Sequence, residues 1–93
     1  MFIGALQIEL HIPESGSLKE KRMVISSLKQ RLHNKFNISV AEIDHQDLWQ
    51  RSLLGVAMVA GDKKFIKKSL DTILNFVDEQ HLAQVTDHQI EIL

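Results

Sequence analysis

The sequence predicts an α+β sandwich: a four-stranded antiparallel sheet, strand order 4-1-3-2, with two helices on one face. Three observations predict it. Residues 2–12 alternate, with Phe2, Leu6, Ile8, Leu10 and Ile12 on one parity and Gln7, Glu9 and His11 on the other, the pattern of a half-buried strand. Two later stretches carry apolar residues at helical spacing, Leu18-Ile25-Leu28-Leu32 and Ile66-Leu70-Ile73-Leu74-Val77. The elements then follow as β-α-β-β-α-β, and right-handed crossovers bring both helices to the same side.

Each element has local reasons. Pro13 ends the first strand because it has no N–H for a ladder. Ser17-Leu18-Lys19-Glu20 is a capping box, so a helix starts there and runs to about Asn34–Lys35. Asn37 to Ile43 reads as a second strand with Ile38 and Val40 inward, and the polar Asp44–Arg51 stretch as a connection. Leu53 to Ala60 is apolar on both parities, which fits a central strand whose outer face is also shielded. Gly61-Asp62 supplies a turn and an N-cap for a helix reaching about Gln80. Val85 to Ile92 is the last strand, and its alternation breaks at Asp87-His88, where a bulge is expected.

Ninety-three residues make one domain, residues 1–93, with one core. The absence of cysteine removes disulfides, thiolate nucleophiles and Cys-based metal sites. No apolar run approaches the roughly 18 residues that span a bilayer. Met1-Phe2-Ile3-Gly4 enters the alternating pattern with no basic region before it. A cytoplasmic protein with no membrane partner is therefore expected. The net charge of −1 hides an asymmetry: residues 17–35 hold six Lys/Arg against Glu20 alone, while residues 71–93 hold five acids and no Lys or Arg.

Ile12-Pro13, Ser17-Leu18-Lys19-Glu20-Lys21-Arg22, Phe36-Asn37-Ile38-Ser39-Val40-Ala41-Glu42 and Asp47-Leu48-Trp49 together resemble the YlxP family of small bacterial proteins. The resemblance covers nearly the whole chain. It implies a ferredoxin-like fold and no established activity. Family members are often encoded among translation and ribosome-maturation genes, which implies an RNA or ribosome connection by association.

Four constellations carry functional expectations. Lys21 lies in line with Ile25, Leu28 and Leu32, and Glu42 shares parity with Ile38 and Val40. The topology sets them under the same helix end, so they are expected to approach each other. The competing reading has Lys21 snorkelling to water and Glu42 beyond the core edge. Second, Ser15, Ser17, Lys19 and Arg22 surround a helix start, with Trp49 and Arg51 across the same edge. Helix-terminal N–H groups favour anions, and an indole offers a stacking plane, so these six residues are candidates for RNA. The competing reading, favoured for Ser17, makes it only a cap, packs Trp49 over the core edge and leaves the rest solvated. Third, Lys63, Lys64, Lys67 and Lys68, with Lys35, form a basic stretch at the opposite edge, read mainly as a solvated face.

Fourth, the outward parity offers Ile3, Ala5, Leu53, Gly55, Ala57 and Val59. The third strand has no aromatic to stack a base, which excludes the usual sheet-face mode of RNA recognition. A small apolar face of this kind tends to be covered, and a homodimer through the sheet is expected to cover it. Metal and cofactor binding are not expected, because His11, His33, His45, His81 and His88 lack ligand spacing and Asp44, His45 and Asp47 read as a polar turn. No motif sets a nucleophile beside a base, so the expectation is a non-catalytic protein. Two functions follow: an RNA- or ribosome-associated accessory factor, or a homodimeric protein-interaction or small-ligand module.

Overall fold

The computed structural model describes all residues from Met1 to Leu93. The chain forms β1 (Phe2–His11), α1 (Leu18–Lys35), β2 (Ser39–Asp44), β3 (Arg51–Ala60), α2 (Lys63–Glu79) and β4 (Gln84–Ile92). All strand pairs are antiparallel, in the order β2-β3-β1-β4. This is the α+β arrangement that the order of elements predicts. No helix is long and apolar enough to cross a membrane.

β1 and β3 pair along their whole length, from Phe2 with Ala60 to His11 with Arg51. Leu6, Ile8 and Leu10 of β1 and Leu54 and Val56 of β3 point to the helices. They pack on Ile25, Leu28 and Leu32 of α1 and on Ile66, Leu70, Ile73 and Val77 of α2. Removing this apolar surface from water drives the layers together. At Gly4 the approach of α2 is so close that a Cβ would collide with the Ile66 side chain.

The caps explain the helix starts. Ser17 Oγ accepts from the Glu20 N–H at 3.1 Å, and the Glu20 carboxylate accepts from the Gly16 N–H at 2.6 Å. Asp62 Oδ1 accepts from the Lys64 N–H at 2.9 Å at the start of α2.

The starts of β2 and β3 and the place of the β4 bulge differ from expectation. β2 begins at Ser39 rather than Asn37, because residues 36–38 splay away from β3 as they leave α1. β3 begins at Arg51, so the connection ends earlier, and Arg51 and Ser52 pair with His11 and Leu10. The β4 bulge lies at Thr86, one residue before the expected break. Pairing steps from Glu9–Asp87 to Leu10–Val85, and the skipped Thr86 donates its hydroxyl to the Glu9 carbonyl at 3.3 Å. A second shift leaves Ile43 unpaired between Glu42 and Asp44. Its side chain lies over Gly55, where a Cβ would meet Ile43 Cγ2 at 3.0 Å.

Candidate functional site

The helical line that predicts a buried lysine delivers one. Lys21 is fully buried in the first turns of α1. Its Nζ lies 3.0 Å from Glu42 Oε2 and donates to the carbonyls of His45 at 2.6 Å, Gln46 at 3.2 Å and Arg51 at 3.2 Å. Four oxygens from β2, the following connection and β3 thus share one ammonium. Ser52 donates to the same Glu42 oxygen at 2.6 Å, which completes the shell. A charge this deep persists only with such full compensation.

The connection after β2 is shaped around that ammonium. His45 takes a left-handed backbone, φ +65°, unusual for a residue with a side chain. Its carbonyl accepts from both Lys21 and the Leu48 N–H, while the His45 N–H donates to Asp44 Oδ1 at 2.7 Å. Gln50 Nε2 donates to the carbonyls of Pro13 at 3.1 Å and Ser15 at 3.2 Å, tying the connection to the start of α1.

On the other side of this connection is a cluster that the pattern of residues did not announce. Glu9 Oε1 is 2.7 Å from Arg51 Nη2 and 3.0 Å from His45 Nε2. A signal was available: Glu9 and Arg51 share the outward parity of neighbouring strands at a diagonal position, within reach of long side chains.

The six anion candidates separate. Ser15 is buried and its hydroxyl donates to the Ser17 carbonyl at 3.1 Å. Ser17 caps α1, so both hydroxyls serve the helix start rather than meeting an external anion. Arg51 is held by Glu9. Lys19 and Arg22 remain exposed and without carboxylate partners, bordering a shallow groove with Met23, Ser26, Ser27 and Gln30 on the outside of α1. Trp49, 55% exposed, shares a depression with His11, Leu48, Gln50 and Arg51. His11 and Arg51 belong to the open side of the sheet, so Trp49 flanks that side and not the outer face of α1. The single edge expected from the sequence is two surfaces.

The basic stretch at the far end is partly engaged. Lys67 pairs with Asp71 at 2.8 Å, and Lys63 lies 5.1 Å from the Phe2 ring centre.

The side of the sheet away from the helices is uncovered. Ile3 and Ala5 of β1 and Leu53, Gly55, Ala57 and Val59 of β3 lie on it in register, Ile3 against Val59 and Ala5 against Ala57. Ala41 and Ile43 of β2 extend the strip, and both were missed, although inward Val40 implies them. Around Gly55 the strip dips into a depression of about 320 Å³. Charge borders it on two sides: Glu91 of β4 pairs with Ala5 along its flank, and Glu9, His45 and Arg51 stand at its end.

A family model described as "Protein of unknown function (DUF503)" matches residues 3–90. The chain belongs to this family. A relative is the "Uncharacterized protein YlxP" of Bacillus subtilis (strain 168), 43% identical over 76 residues, which cover 82% of this chain and 83% of that protein. The DUF503 description carries no activity, so the chemistry of this member rests on its own residues. Three hydroxyls near this end are committed: Ser15 and Ser17 to the helix start and Ser52 to Glu42. Its histidines and carboxylates form no group of three able to hold a metal ion.

Proposed function

We propose that this DUF503 member is a non-catalytic interaction module that works through the open face of its sheet and docks there on a second copy of itself. One observation carries the reading: an uncovered strip of small apolar side chains runs across β1, β3 and β2 without a charged residue until Glu9 and Arg51. Ala5, Ala41, Gly55 and Ala57 keep it flat, and flat sheet faces pack on each other about 10 Å apart. The whole face, strands of ten, six, ten and nine residues set about 4.8 Å apart, offers only about 550 Å². That lies below the roughly 800 Å² per partner of a standard interface, so association is weak and depends on concentration. Light scattering across a concentration series tests it. A rising mean mass is expected, and a monomer mass up to millimolar protein removes the proposal.

A second reading keeps the RNA or ribosome connection. Its support is the outer side of α1, where Lys19, Arg22 and Lys29 have no carboxylate partners while Glu20 is spent on the cap. Counter-ion release makes such binding fall steeply with salt, whereas apolar docking does not. In co-sedimentation with ribosomal subunits at low salt, the Lys19→Glu, Arg22→Glu double variant is then lost from the pellet. Equal pelleting of the variant and the wild type, or none by either, contradicts this reading.

A further inference from the structure

β3 is longer than its neighbour β2 and overhangs it at both ends. The direction of the backbone groups there follows from the ladder. Ile3 exchanges both its hydrogen bonds with Leu93, at 2.8 Å each, so Ile3 faces β4 and leaves Val59, its partner on β3, unbonded from β1. Alternate residues of β3 therefore point their N–H and C=O groups toward the β2 side: Arg51, Leu53, Gly55, Ala57 and Val59. At one overhang the Arg51 carbonyl is met by Lys21. At the other, the N–H and C=O of Val59 have no partner, because Asn37, the residue that would continue β2 past the Ser39–Ala57 pair, has left the sheet.

The space opened by that departure is a wedge of about 300 Å³. Its walls are mostly apolar, with Phe36 and Ile38 on one side, Met58 and Val59 on the second and Phe65 and Ile73 of α2 on the third, and Asn37 and Ser69 as neutral polar members. One charged residue, Lys35, lines it, and no acid does. Lys35 Nζ rests 4.8 Å from the Phe76 ring centre and pairs with no carboxylate. Val59 itself is 62% exposed, so the edge is open to an approaching backbone.

We propose that this wedge receives the C-terminal end of an extended peptide with an apolar last residue. The peptide adds to the free edge of β3, exchanging hydrogen bonds with Val59 while its last side chain enters the apolar wedge. Chain direction follows from charge. A peptide antiparallel to β3 runs the same way as β2, so its C-terminus points toward Ser39 and meets the wedge, where its carboxylate faces Lys35. A parallel peptide would bring an N-terminal ammonium to the same cation. The residue 36–38 segment blocks further travel, so the bound segment must end there. This site lies on the edge of the sheet and stands independently of docking through the open face.

Amide-resolved NMR on the full chain tests it. In the free protein the Val59 amide exchanges with solvent at least tenfold faster than that of Met58, which β1 protects. Slow Val59 exchange overturns the proposal, because the edge is then already paired. The probe is an equimolar pool of N-acetylated pentapeptides ending in Val, Leu, Ile, Phe or Met, each as the free acid and as the C-terminal amide. The acids are expected to shift and protect Val59, with accompanying shifts at Phe65. The amides, and the acids against Lys35→Glu, should bind about tenfold more weakly. No shift at Val59 at millimolar peptide, or equal affinity for acid and amide, overturns it. Ser69→Trp, which fills the wedge from α2, should abolish the shifts while leaving the remaining amide spectrum in place.

Discussion

Lys21 is the residue on which the α1 end of the molecule turns. Removing its ammonium takes a donor from three carbonyls, orphaning those of Gln46 and Arg51, and leaves the Glu42 carboxylate with Ser52 alone. Lys21→Met should therefore cost about 3–5 kcal/mol, read as a lower urea midpoint. A loss under about 1 kcal/mol would mean that water already competes for those oxygens. Pairing it with Glu42→Leu should restore only part of the loss, since the carbonyls stay unmatched. The spacing of Lys21 against Ile25, Leu28 and Leu32 made its burial legible, and parity made Glu42 its candidate partner. The three carbonyls were not legible, because they depend on the left-handed turn at His45, which no local residue preference demanded. Glu9 escaped for a related reason: its role appears only when the register sets it diagonal to Arg51.

At the scale of elements, α1 begins where its capping box says it should. Ser17→Ala should destabilise the protein by about 1 kcal/mol, measured by thermal melting, because the Glu20 N–H loses its acceptor. An unchanged melting temperature would show that water replaces the hydroxyl without loss. The helices were legible because their periodic stripes are long and each carries its own cap. Strand ends were less so. β2 was expected two residues early, since Asn37 and Ile38 keep the strand-like alternation while the chain from α1 pulls them away from β3. The bulge was expected at Asp87-His88 and lies at Thr86, because alternation marks the consequence of a slipped register, whereas the slip itself is set by the β1 partner. Those irregularities matter to the surface. The Ile43 bulge lays a side chain over Gly55, and the late start of β2 leaves Val59 unbonded.

At the scale of the molecule, the two helices cover one side of the sheet and leave the other to solvent. That division was legible from the order of elements, and the small apolar character of the open side from parity alone. The separation of Trp49 from Lys19 and Arg22 was not. Their nearness along the topology hid the fact that the connection after β2 presents Trp49 beside His11 and Arg51, away from the outer side of α1. An acidic side chain at the centre of the open face should separate paired copies at little cost to the fold. Ala57 is exposed, so Ala57→Glu should stay within about 0.5 kcal/mol of wild-type stability and keep a monomer mass at every concentration. The most direct measurement is an isotope-filtered NMR experiment on a mixture of labelled and unlabelled protein at high concentration. The account predicts contacts between copies at the Ala5, Ala41 and Ala57 methyl groups, lost in Ala57→Glu; contacts confined to α1, or none while the mass stays monomeric, would contradict it.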